Sequence, residues 1–274
     1  MGDLVPGDDG KLVEQVGSWA AEKHNLLCKY VDITRSVRSK WIAPGKAGAT
    51  YIDVFCGPGR SQVKKTGEFI DGSCVAAWKM SVRSKAPFSM IYLADLDPVR
   101  RRLAADRLRD LGAPVTELDG DAATATALLP GRLSQYGLHF AFLDPFNLGA
   151  LNFNVMRSLA LLPRIDILVH ISKMDMQRNL GFNIGQQSQA FESFAPGWRA
   201  AIDLGQGHQR VRVALFDYWR KQVSSLDLDH SPEMKLITGG RGQHLYWLML
   251  VARHELAVRF WQTIAKDDAQ GRFL

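Results

Sequence analysis

Cysteine is scarce in this chain: Cys28, Cys56 and Cys74 are the only three in 274 residues, and no two form a CxxC pair. An odd count at wide spacing indicates neither a zinc site nor a disulfide scaffold, so no metal is expected. The usage fits a reducing cytoplasm. Long apolar runs are also missing, and nothing approaches the ~18 uninterrupted apolar residues of a membrane span. Met1 to Gly10 holds three Asp and no apolar segment, so no secretory signal is expected. Neither GxGxxG nor GxxxxGKS/T occurs, which argues against a dinucleotide fingerprint and a phosphate-cradling P-loop. Internal repeats and low-complexity tracts are absent.

What is present describes a globular chain. Hydrophobic residues make up 46% and charged residues 23%, ordinary usage with ample material for a core. The length suits one α/β domain with additions, or two small ones. Lys and Arg number 34 against 28 Asp and Glu, a formal net charge of +6. That excess favours an anionic partner such as nucleic acid.

Hydrophobic periodicity predicts a helix over Lys11 to Trp41, with Leu12, Val16, Trp19, Leu26, Tyr30, Ile33 and Val37 on one face. Arg35, Arg38, Lys40 and Lys46 near its end read either as a phosphate-facing patch or as a solvated face. Thereafter the period changes. Thr50–Phe55, Met90–Ala94, Val115–Leu118, His139–Leu143 and Ile165–Ile171 are short apolar runs, as expected of strands covered on both faces. Helical segments alternate with them: Ser73–Lys85, Pro98–Leu111, Ala122–Leu129 and Phe153–Leu162. Such alternation predicts a parallel sheet with right-handed crossovers. Lys235–Thr238 and His244–Ala252, joined across Gly239 to Gly242, suit a hairpin, and a last helix spans about Glu255–Lys266. The expected division is residues 1–48 as a helical extension and 49–274 as the α/β domain. An insertion at about 181–208 lacks periodicity and contains Phe191, Phe194 and Trp198. It reads either as a lid or as an ordered decoration.

The candidate site residues lie at the ends of these strands. In the segment YIDVFCGPGR (51–60), glycines after the first strand permit close approach of backbone to a ligand. Gly57 and Gly59 would supply it at the topological switch point of an open sheet. Asp53 lies inside the strand, where an unpaired carboxylate is costly, so a cationic ligand group would suit it. Asp95 follows the second strand and can accept both hydroxyls of a ribose. Asp97 suits the helix cap before Pro98. Asp121, after the third strand, can accept from an adenine amino group or cap a helix. The fourth strand ends in Asp144-Pro145-Phe146-Asn147, beside the reactive end of such a ligand. His170, Lys173, Asp175 and Arg178 follow the fifth strand and read either as groups that bind an anionic substrate, with Lys173 and Arg178 the candidates, or as groups that order a loop, and His170 reads foremost as a satisfied structural histidine. Arg60, Lys64 and Lys65 extend a basic rim, and Cys56 reads as packing.

On YIDVFCGPGR with Asp71-Gly72-Ser73, WAAEK (19–23), LADLDP, FLDPFN, IDILVHISKMDMQR (165–178) and YWLMLVARHELAVRFW, the chain resembles the three-Cys-motif partner (TcmP) proteins. That resemblance implies a Rossmann-like methyltransferase fold: a mostly parallel seven-stranded sheet with a terminal antiparallel hairpin and an added N-terminal helix. It implies S-adenosylmethionine as cofactor, with Asp53, Phe55, Gly57 and Gly59 around the methionine part, Asp95 at the ribose and Asp121 at the adenine. Asp144 would stand beside the transferred methyl. A separate three-cysteine protein is the implied partner, so the cysteines here are not that motif. Asp144-Pro145-Phe146 is also similar to the Asp-Pro-Pro-aromatic motif of adenine amino-methyltransferases, although Phe146 replaces the second Pro and Asn147 the aromatic. The expected function is methyl transfer to nucleic acid. The rival is a non-catalytic Rossmann-like subunit that binds the same cofactor or a related nucleotide within a complex.

Overall fold

The computed structural model describes residues 2–240 and 242–270. Strands β1 (Leu4–Pro6) and β2 (Leu12–Val16) pair antiparallel and precede helices α1 (Trp19–Ile33) and α2 (Arg35–Trp41). The β-branched run β3 (Ala49–Asp53) is buried at every residue and leads through the glycine turn into β4 (Arg60–Val63), β5 (Phe69–Asp71) and α3 (Ser73–Arg83). Alternation continues with β6 (Met90–Leu93), α4 (Pro98–Asp110), β7 (Val115–Glu117), α5 (Ala122–Ala127) and α6 (Leu129–Arg132). Next come β8 (Leu138–Leu143), α7 (Phe153–Ala160) and β9 (Ile165–Ser172). Helices α8 (Lys173–Ile184), α9 (Ala190–Phe194), α10 (Trp198–Ala201) and α11 (His208–Ser224) precede the hairpin β10 (Asp229–Thr238) and β11 (His244–Ala252), and α12 (Glu255–Gln270) follows it.

Among the described residues the main sheet has seven strands in the order β7-β6-β3-β8-β9-β11-β10. β3 pairs parallel with both β6 and β8, while β11 runs antiparallel against β9 and β10. This order, with the reversed strand inside the far edge, is that of the Rossmann-like methyltransferase fold. The chain reverses its direction of sheet growth between β3 and β8, which opens a crevice at their carboxyl ends. Alternation along β3 sends Ile52 to the core beneath α5 and α7, and Tyr51 to the core beneath α1, α3 and α12.

One expectation fails, and one of two open readings is favoured. Lys11–Trp41 is not one helix, because residues 12–16 form β2 and α1 begins at Trp19. β2 pairs parallel with β4, with Glu14 opposite Ser61, in a second, four-stranded sheet of order β1-β2-β4-β5. Leu12 and Val16 match a helical spacing, but pairing with a strand 47 residues away outweighs that local signal. The 181–208 segment is not an open loop. α8 runs through Ile184, and α9 and α10 bury Phe191, Phe194 and Trp198 completely. Asn183 Oδ1 accepts from the Phe191 amide at 3.0 Å, and Arg199 donates to the Asn183 carbonyl at 2.6 Å. Helices of four and five residues are too short to display a period.

Candidate active site

The glycine turn after β3 is built for close approach. Gly57 and Gly59 hold φ of +54° and +79°, a region that side chains rarely adopt. A Cβ on Gly57 would meet Glu14 Oε1 at 3.2 Å. The Gly57 amide donates to Asp95 Oδ2 at 2.9 Å, and the Asp97 amide to Asp95 Oδ1 at 2.9 Å. Asp95 is thereby fixed at the end of β6, and burial pushes its carboxyl above the usual value.

Phe55, Gly57, Asp95, Asp121, Asp144, Pro145 and Phe146 all line one cavity of about 1140 Å³ at the carboxyl edge of the sheet. Asp121 also caps α5, accepting from the Thr124 amide at 2.8 Å, so its helix-cap reading holds. Lys64 and Lys65 line the same cavity, and Phe146 is exposed beside it.

Six candidates stand elsewhere. Asp53 does not face the cavity. Its side chain lies on the Tyr51 face of β3, accepting from Ser73 Oγ at 2.6 Å and Tyr51 Oη at 3.1 Å. Burial pushes its carboxyl up to about 7, against those hydrogen bonds. Gly59 packs rather than binds, since a Cβ there would lie 3.0 Å from Ala104 Cα. Arg60 is spent on Asp8 and Asp71, at 2.6 and 2.9 Å. Lys173 bonds His244 Nδ1 at 2.8 Å and lies over the Trp247 ring. Arg178 is exposed further along α8, away from the cavity. Asp175 is likewise structural, accepting from the Leu148 amide at 2.7 Å.

The sequence reading missed an entire wall. Gly2, the segment from Glu14 to Ala20, and Lys23 close one side of the cavity. Arg100 and Arg107 of α4 hold this N-terminal sheet in place. Arg100 pairs with Glu14 at 2.7 Å, while Arg107 pairs with Asp9 at 2.7 Å and donates to the Pro58 carbonyl in the glycine turn. Arg101 and Arg109 of the same helix pair with Glu117. The arginine-rich helix is therefore largely neutralised by its own neighbours. Burial raises the Glu14 carboxyl, partly offset by Arg100.

Beyond that wall, Lys23 reaches Asp144. Its ammonium pairs with Asp144 Oδ2, and His170 Nδ1 lies 2.6 Å from Asp144 Oδ1. Burial pushes the Asp144 carboxyl upward, but Lys23 and His170 outweigh it and hold the group well below the usual carboxylate range. Burial lowers the His170 imidazole, against the pull of Asp144. Among the described residues no cluster of three or more His, Cys, Asp or Glu is arranged to hold a metal ion. No helix there is long and apolar enough to cross a membrane.

No family model matches the sequence, and no curated protein matches it. Solved structures do resemble the fold. The cofactor-bound protein Rv0187 from MTB shares 14% identity at a TM-score of 0.46, covering 85% of this chain and 81% of that one. A S-adenosylmethionine-dependent methyltransferase from Clostridium acetobutylicum shares 13% identity at 0.33, over 54% of this chain and 50% of that one. Protein LPL1258 from Legionella pneumophila shares 11% identity at 0.46, over 83% and 84%. At such values these likenesses carry no argument about this chain.

Proposed function

We propose that this chain binds S-adenosylmethionine and transfers its methyl group to nucleic acid. The observation that carries the reading is the convergence of Gly57, Asp95, Asp121 and Asp144, from four strand ends, on one cavity at the switch point. The residues fit the cofactor. Gly57 leaves a cradle that a Cβ would fill. Asp95 retains acceptor capacity on both oxygens for ribose hydroxyls, since a carboxylate offers about four lone-pair sites. Asp121 retains such capacity for an adenine amino group. A cavity of about 1140 Å³ exceeds the ~300–1,000 Å³ of ordinary ligand pockets, so a cofactor and part of a substrate fit together. When bound, the cofactor supplies a methyl group activated on a sulfonium. The chain's part is to align the acceptor and exclude water.

Lys64, Lys65 and the exposed ring of Phe146 support nucleic acid as substrate, through phosphate pairing and base stacking. The resemblance to three-Cys-motif partner proteins belongs to the same proposal and adds a separate cysteine-bearing partner. A second reading, a cofactor-binding subunit without catalysis, is favoured by one observation: Lys23 and His170 already engage both oxygens of Asp144. Tritium transfer from labelled cofactor into unfractionated RNA and DNA separates the two. Transfer that declines steeply with salt is the expected result. Cofactor binding without transfer, at low salt, would establish the subunit reading instead.

A further inference from the structure

Asp144 is poorly suited to take a proton itself. Both of its oxygens are engaged, and its neighbours hold it ionised and weakly basic. The same carboxylate defines its neighbour. An ionised carboxylate only accepts, so the proton of a neutral His170 lies on Nδ1 and the lone pair on Nε2. His170 is 9% exposed and lines the cavity, and its Nε2 is buried with no hydrogen-bond partner among the described residues. Tyr246, on the adjacent strand β11, is 4% exposed, lines the same cavity and packs its ring 3.9 Å from the imidazole. Its Oη is also buried, with no hydrogen-bond partner among the described residues. A buried polar atom left unsatisfied costs free energy. Here an acceptor and a hydroxyl in that condition belong to two rings packed together at the end of the cavity occupied by Asp144.

We propose that His170 Nε2 is the general base of the methyl transfer, taking the proton from an N–H or O–H acceptor, with Tyr246 Oη hydrogen-bonded to that same acceptor atom. This rests on the methyltransferase reading. As the acceptor's lone pair forms the bond to the methyl carbon, the carbon–sulfur pair stays with sulfur and the acceptor's proton passes to Nε2. The imidazolium is held by Asp144, which is a positioning residue, and is discharged to water afterwards. Lys23 holds the other oxygen and keeps Asp144 from taking the proton. The charged or titratable groups around the imidazole are Asp144 after β8, Lys23 on α1 and Tyr246 on β11. Glu14 on β2 acts on the Lys23–Asp144 pair. Neither Nε2 nor Oη is open to water, so the acceptor reaches them only with local movement of the side chains around them. That limits loss of the base to solvent.

The test combines nitrogen NMR of the histidines with His170→Gln. The expected spectrum at neutral pH shows His170 uncharged with its proton on Nδ1, and Asp144→Asn releases that tautomer. A His170 protonated on Nε2 overturns the proposal. General-base assistance is typically ~10²–10⁴-fold. His170→Gln is therefore expected to lower tritium transfer into unfractionated RNA or DNA by at least about 100-fold, while S-adenosylhomocysteine still raises its unfolding temperature as in the native chain. Transfer within about threefold of the native rate overturns the proposal. If S-adenosylhomocysteine fails to stabilise even the native chain, the methyltransferase reading fails, and this inference falls with it.

Discussion

Lys23 and Asp144 meet from positions 121 residues apart, and their side chains are only 11% and 17% exposed. Removing the cation leaves a desolvated carboxylate with His170 alone for company. Breaking such a buried pair costs about 3–5 kcal/mol, so Lys23→Met is expected to lose stability toward the lower end of that range, read by urea unfolding. A loss below about 1 kcal/mol, the level of an exposed pair, would contradict the burial described here. The sign with pH follows from the depressed carboxyl. Its stabilisation is complete above the unfolded value and is lost as pH falls through the folded one. Gly57, Asp95 and Asp144 were legible in the sequence because each is a distinctive residue at the end of an apolar strand. Lys23 was not, since a lysine within a helix reads as a solvated face, and only the approach of α1 to β8 gives it a partner. Asp53 misled for the opposite reason. A carboxylate in a strand suggests a ligand, but Ser73 and Tyr51 already satisfy it.

At the scale of elements, legibility followed length and local order. The five parallel strands and the hairpin are apolar runs whose pattern survives without context. β1, β2, β4 and β5 are three to five residues long, and RSQV in β4 carries little β signal. Their pairing is non-local, and so the cavity wall that includes Glu14 was hidden. The 181–208 segment teaches the same lesson through its aromatic residues. Trp198 packs edge-on against Phe191, with ring centroids 5.9 Å apart, inside the core. Trp198→Ala is expected to cost about 3–5 kcal/mol in equilibrium unfolding. A cost below about 1 kcal/mol, ordinary for surface positions, would mean that the segment lies loosely on the body.

The whole molecule carries a pH dependence of its own. Burial pushes Asp53 up to about 7 and Asp166 up to about 6, from ordinary values of 3.8. Across that window the folded chain keeps protons that the unfolded chain releases. These two groups therefore lower stability as pH rises from about 4 to 7, by the linkage between proton uptake and folding. Asp53→Asn is expected to flatten that slope in urea unfolding series, and an unchanged slope would refute the cause. Net charge was a weaker guide. The arginines of the glycine turn and α4 do not form a free basic patch, because Arg60, Arg100, Arg101, Arg107 and Arg109 pair with acids, whereas Lys64 and Lys65 line the cavity. The central claim, a cofactor site framed by Gly57 and Asp95, is tested most directly by thermal unfolding with S-adenosylmethionine or S-adenosylhomocysteine. A ligand at 100 times its dissociation constant stabilises by about 2.7 kcal/mol, roughly 5–10 °C for a chain of this size. The expected result is a rise of that order with both ligands, abolished in Asp95→Ala. A folded native chain whose unfolding temperature neither ligand moves would contradict the account.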